Sequence, residues 1–198
     1  IAQQGQYSRS LTLRLISSLC RYEDKMKDID ILKAIEAAKL AFGPKCRKYS
    51  GALTIEIIKQ ALEQEGISVS SRDVFVRGAL IEIDLIIPRI GAMPQNGLLY
   101  EPSEVLAAIE VKNAGSFGES TTRGIKRNVR ILKALNPQIT FCYITLEERE
   151  GYRAAVTDDI CNAYTMFWVK GSGLKEVQNS SGDWERFVHD MIKIQKSA

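Results

Sequence analysis

Short apolar runs alternate with helical segments from residue 51 onward, and this order constrains the fold more than any other feature. Runs with the alternation or the continuous apolar character of strands occur at 73–78, 79–89, 104–115, 139–147 and 165–171. Segments with the helical spacing of Leu, Ile and Ala occur at 50–67, 119–135, 152–163 and 182–195. Three successive strands, a crossover helix and a further strand predict an α/β fold with a mixed β-sheet and helices on both faces.

Two more helical patterns precede this region, at 10–22 and 29–42. We therefore expect an N-terminal helical extension at 1–49, followed by an α/β core with a C-terminal helix at 50–198. With 198 residues, of which 45% are hydrophobic, both parts fit into a single compact domain with a proper core.

Composition narrows the chemistry that this chain can perform. His189 is the single histidine, and the four cysteines have no C-x-x-C spacing, which disfavours a Cys/His zinc centre and a Ser-His-Asp triad. Carboxylates and lysines must then carry any chemistry. No apolar run is long enough to span a bilayer and the first residues do not resemble a signal peptide, so we expect a cytoplasmic protein with no membrane partner. The net charge of +3 means that any affinity for nucleic acid must come from a local cluster of Lys and Arg.

Three charged residues lie inside two of the apolar strands. Glu110 and Lys112 lie two residues apart in 104–115 and therefore share a face, and Asp84 lies in the strand at 79–89. If these strands pair, two carboxylates and a lysine converge, and the carboxylates repel each other unless a cation lies between them. Oxygen ligands without histidine suit Mg²⁺ or Mn²⁺, to which the Val111 carbonyl can add a ligand, and Lys112 can assist a water molecule that attacks a phosphodiester. The alternative is an exposed strand face with solvated charges.

The order of Asp84 and then "IEVK" on consecutive strands resembles the PD-(D/E)XK nuclease superfamily, which has the restriction-endonuclease-like fold. The resemblance covers roughly residues 50–146. Within it, the two strands that carry Asp84 and "IEVK" are similar to the core of type II restriction enzymes and archaeal Holliday junction resolvases. It implies that Asp84 and Glu110 bind the metal and that Lys112 assists the attacking water. Many members also place a Glu on the preceding helix, for which Glu56 is the best match and Glu63 the fallback. Ile83 stands where the superfamily name has proline.

A basic helix follows the Glu-x-Lys strand. Its cations recur at helical spacing and can bind a phosphate backbone beside the site. A solvated helix face is the plainer interpretation. The cations are Arg123, Lys126, Arg127, Arg130 and Lys133.

Together these features predict a metal-dependent endonuclease that acts on DNA, most readily duplex DNA, as a homodimer or as the nuclease subunit of a larger restriction or repair assembly. The competing interpretation is a non-catalytic module of the same fold that binds nucleic acid or a partner protein.

Overall fold

The computed structural model describes residues 47–114, 119–149, 160–170, 176–180 and 182–197. The helices predicted at 10–22 and 29–42 lie outside these ranges. The first described helix crosses the predicted boundary between residues 49 and 50, since it spans Arg47–Gln64.

Within the described ranges the chain forms three α-helices, eight β-strands and one 3-10 turn. The helices are α1 (Arg47–Gln64), α2 (Glu119–Leu135) and α3 (Asp183–Lys196), and the 3-10 turn spans Pro102–Glu104. The strands are β1 (Val74–Val76), β2 (Glu82–Ile83), β3 (Leu85–Pro88), β4 (Leu99–Tyr100), β5 (Val105–Ala114), β6 (Thr140–Arg149), β7 (Asn162–Lys170) and β8 (Glu176–Ser180).

Five of the strands form the main sheet, in the order β3-β5-β6-β7-β8. β5, β6 and β7 run parallel, while β3 and β8 are antiparallel to their neighbours. Parallel neighbours need a crossover connection, and α2 supplies it between β5 and β6. The other three strands form a small sheet in the order β2-β1-β4. The predicted mixed sheet flanked by helices is confirmed.

Alternate residues of β5 enter two separate hydrophobic clusters on the two faces of the main sheet. Ile109 packs with Ile58 of α1 and Phe187 of α3. Ala108 packs with Leu132 of α2 and with residues of the small sheet. Because neighbouring strand residues point to opposite faces, α1 and α3 cover one face and α2 covers the other.

The predicted strand at 79–89 is divided at Asp84, so the prediction of one continuous strand is wrong. Ile83 ends β2 in the small sheet and belongs to the α2-side cluster. Leu85 begins β3 in the main sheet and belongs to the α1-side cluster. Both halves of the segment are apolar, so its alternation could not indicate that the chain changes sheet.

Two differences lie near the C-terminus. β7 begins at Asn162, so the helix predicted at 152–163 is wrong at its described end, while 150–159 lies outside the described residues. β8 was not predicted, because its sequence EVQNS has only one strongly apolar residue. Among the described helices, none is both long enough and apolar enough to cross a bilayer. The cytoplasmic location stays a prediction.

Candidate active site

Asp84 occupies the break between β2 and β3, where the chain leaves the small sheet and enters the main one. Leu85 pairs with Ile109 of β5, so the residue before Leu85 lies beside Glu110. Oδ2 of Asp84 accepts a hydrogen bond of 2.7 Å from the backbone N–H of Val111. The side chain thus replaces a strand-to-strand hydrogen bond at the residue just before β3 begins, and this hydrogen bond holds the carboxylate against β5.

Glu110 and Lys112 project from the same face of β5, because strand residues two apart point the same way. Nζ of Lys112 donates a hydrogen bond to Oε1 of Glu110 and lies 3.7 Å from Oδ2 of Asp84. The side chains of Asp84 and Glu110 are 16% and 20% exposed, so these carboxylates are not fully solvated. The structure therefore brings together the three residues that were predicted from their strand positions.

The surroundings of Asp84 disfavour its negative charge. Burial and then the charge of Glu110 raise the pKa of Asp84 from 3.8 to about 6, although the Val111 N–H and the Lys112 ammonium oppose the rise. Burial acts to lower the pKa of Lys112, but the hydrogen bond and charge of Glu110, together with the charge of Asp84, leave it above its ordinary value. Lys112 is therefore charged at neutral pH, and two partly buried carboxylates share its single ammonium.

This set of donors fits a hard divalent cation. Two carboxylates and one ammonium meet at the site, and oxygen ligands without histidine are the preference of Mg²⁺ and Mn²⁺. The N–H of Val111 points to Asp84. Since the N–H and C=O of a strand residue point to the same side, the Val111 carbonyl also lies on the Asp84 side of β5. A cation between the carboxylates would relieve the repulsion that raises the pKa of Asp84.

Glu56 lies on α1, which covers the opposite face of the main sheet. Its side chain is half-buried, and Oε1 accepts a hydrogen bond of 3.2 Å from Nε2 of Gln60. In the part of the chain that the structure describes, no three Asp, Glu, His or Cys side chains form a group that could hold a metal ion. Glu56 is therefore not gathered with Asp84 and Glu110, and the fallback Glu63 is exposed on the same helix. A catalytic role for Glu56 stays a prediction.

The basic residues of α2 all lie on its exposed face, while Ile125 and Leu132 are buried on the other. The helix covers the same face of the sheet from which Glu110 and Lys112 project. It starts five residues after β5 ends, so its first turns lie closest to the site. The predicted DNA-contacting residues are therefore exposed and on the side of the candidate site: Arg123, Lys126, Arg127, Arg130 and Lys133.

No protein-family model matches this sequence, and no curated protein does. Several solved structures, however, align with this chain. The cAAA-bound form of NucC from P. aeruginosa ATCC27853 aligns with a TM-score of 0.59 over 93% of this chain and 91% of that chain, at 13% identity. The cAAA-bound form of NucC from E. coli MS115-1 aligns with a TM-score of 0.57 over 91% of this chain and 89% of that chain, also at 13% identity. NucC is a PD-(D/E)XK-type nuclease. This chain has the restriction-endonuclease-like fold.

A third solved structure, the complex of restriction endonuclease PspGI with its substrate DNA, aligns with a TM-score of 0.45 over 85% of this chain and 74% of that chain, at 13% identity. The predicted fold class is confirmed by the two NucC alignments. At such low identity the alignments establish the fold, and the activity has to be argued from the site.

Asp73 also acts on the site and was missed by the sequence reasoning. Its backbone N–H donates a hydrogen bond of 3.1 Å to the carbonyl of Asp84, and its negative charge contributes to the raised pKa of that residue. Asp73 precedes a short apolar run and has no distinguishing pattern around it, so no sequence signal connects it to Asp84.

Proposed function

We propose that this chain is a metal-dependent endonuclease that hydrolyses phosphodiester bonds of DNA. The single observation that carries the proposal is the convergence of Asp84, Glu110 and Lys112 at one partly buried point of the main sheet. The fold shared with NucC supports it.

In this proposal Asp84 and Glu110 hold Mg²⁺ or Mn²⁺, with the Val111 carbonyl as a further oxygen ligand. A divalent cation bound there lowers the pKa of a water molecule and neutralises charge on the scissile phosphate. Hydrolysis forms one bond from the water oxygen to phosphorus and breaks one P–O bond to a sugar oxygen, which leaves as an alcohol. Lys112, which is charged and already lies between the carboxylates, can orient the water or donate a hydrogen bond to the phosphate oxygens as their negative charge develops.

The DNA in this proposal is a duplex whose backbone runs past the first turns of α2. Exposed cations on the side of the site supply phosphate contacts that position the backbone without reading its sequence. Assembly as a homodimer, or with partners in a restriction or repair complex, belongs to the same proposal and can be tested by light scattering with and without DNA.

The proposal is tested by the cleavage of supercoiled, linear, branched and single-stranded DNA in Mg²⁺, Mn²⁺ or EDTA. Lys112→Ala should cut at least roughly a hundredfold more slowly than wild type, because the ammonium contacts developing charge. Lys193→Ala is the matched control, since it removes an equal charge from the exposed side of α3, which covers the other face of the sheet. It should cut at the wild-type rate. A wild-type protein that cuts no substrate would instead favour the non-catalytic binding module.

A further inference from the structure

A connecting segment runs along the free edge of β3. This edge segment, residues 68–73, joins α1 to β1 and is not itself a strand. The N–H of Ser70 donates a hydrogen bond of 2.9 Å to the carbonyl of Ile86, and the N–H of Ile86 donates one of 2.8 Å to Oγ of Ser70. Ser70 therefore satisfies both the N–H and the C=O of Ile86 on the free edge of β3. Its hydroxyl oxygen accepts the hydrogen bond that the carbonyl of a neighbouring strand would otherwise accept.

The Ser70 hydroxyl both donates and accepts a hydrogen bond. Its O–H donates a hydrogen bond of 2.6 Å to the carbonyl of Ser71, while its oxygen accepts from Ile86. Ser70 is only 2% exposed and Ile86 is fully buried, so water does not readily replace this oxygen. Removing it leaves a buried N–H without a partner, which is costly.

The edge segment also reaches Asp84 itself. The N–H of Asp73 donates to the carbonyl of Asp84 at 3.1 Å, and Asp73 adopts the left-handed conformation with φ of 58°. Asp is one of the few residue types that tolerate this conformation. Asp84 is therefore held on one side by Val111 of β5 and on the other by the edge segment.

We propose that Ser70 is a positioning residue for the metal-binding carboxylate of Asp84. Asp84 does not lie within a strand, because β2 ends immediately before it and β3 begins immediately after it. Its location therefore depends on how β3 is held two residues further on. Ser70 holds β3 at that residue, Ile86, from the free edge of the sheet. Metal ligands have to be held within about half an ångström of their productive geometry, so loosening this edge weakens metal binding before it weakens DNA binding. The inference rests on the proposed function.

The test compares Ser70→Ala with Ser70→Cys, which has nearly the volume of serine but a much weaker acceptor. The readouts are Mn²⁺ affinity by electron paramagnetic resonance, and kcat and KM for DNA in Mg²⁺. Ser70→Ala should weaken Mn²⁺ binding about tenfold and lower kcat by a similar factor, with KM for DNA within about twofold. The Mn²⁺ affinity and kcat of Ser70→Cys should lie between those of Ser70→Ala and wild type. If Ser70→Ala does not fold, Ser70→Cys alone is compared with wild type.

The matched control is Tyr164→Phe. It removes a hydrogen bond of 2.8 Å from the Tyr164 hydroxyl to Asp190, in the cluster on the opposite face of the sheet. This variant should lose thermal stability but keep wild-type Mn²⁺ affinity and kcat. The inference is overturned if both Ser70 variants bind Mn²⁺ as wild type does, or if Tyr164→Phe weakens Mn²⁺ binding equally. A wild-type protein that neither binds Mn²⁺ nor cuts DNA overturns the proposed function as well.

Discussion

Asp84→Asn should make the metal-free protein more stable at neutral pH, by an amount that depends on pH. The Asp84 carboxylate is partly buried beside Glu110, and both conditions penalise its charge. Asn has nearly the same shape and cannot ionise. Its side-chain oxygen can still accept the hydrogen bond from Val111, so the substitution removes the charge and keeps the hydrogen bond.

The size of the effect follows from the change of pKa on folding. The pKa of Asp84 rises from 3.8 to about 6 on folding. A shift of about two units corresponds to about 3 kcal/mol. Between these values the folded protein binds more protons at this site than the unfolded chain does, so the free energy of unfolding falls as pH rises through that window. Above about pH 7 the wild type has lost this full amount of unfolding free energy, whereas the variant, which has no carboxyl group at residue 84, has not.

The assay is urea unfolding in EDTA at a series of pH values from about 3 to about 8, a range that brackets both the unfolded and the folded pKa of Asp84. The difference in free energy of unfolding, Asp84→Asn minus wild type, should grow by about 3 kcal/mol across the series. Glu82→Gln is the control, since it makes the same change from carboxylate to amide at an exposed position of β2. A difference for Asp84→Asn that is flat or shrinks with rising pH would refute this account of its surroundings.

Two further predictions concern charge at and beside the site. Lys112→Ala should destabilise the metal-free protein, because two partly buried carboxylates lose their shared ammonium, and Mg²⁺ should raise its melting temperature more than that of wild type; equal shifts would contradict this. Replacing Arg123 and Arg127 by Ala should lower the salt dependence of DNA binding by roughly 0.9 in log–log slope for each phosphate that the protein no longer neutralises. The same change at Arg130 and Lys133, further from the site along α2, should have a smaller effect, and equal effects would show that the backbone does not run past the first turns.

The convergence of the three charged residues was predictable because strand alternation is a local rule. Residues two apart on β5 must share a face, so Glu110 and Lys112 were placed together by spacing alone. Their occurrence inside an apolar run was the signal, because charges at partly buried positions need a partner. The antiparallel pairing that brings Asp84 to them also agreed with the order of the elements.

The remaining features depend on contacts between segments that are distant in sequence. The break at Asp84 arises because the two halves of one apolar segment pack against different partners, which alternation does not encode. Glu56 is the best match to the helix glutamate of the superfamily, but its position in the sequence does not reveal which face of the sheet the helix covers. Ser70 lies in a polar connection, and its role depends on Ile86 in a strand that follows later in the chain.

The central claim is that Asp84 and Glu110 together hold one divalent cation, and Mn²⁺ binding followed by electron paramagnetic resonance tests it most directly. Wild type should bind Mn²⁺ at this site, and both Asp84→Asn and Glu110→Gln should lose that binding while remaining folded. Glu82→Gln should bind as wild type does. Undiminished Mn²⁺ binding in both Asp84→Asn and Glu110→Gln would contradict the claim, because the cation would then be held elsewhere.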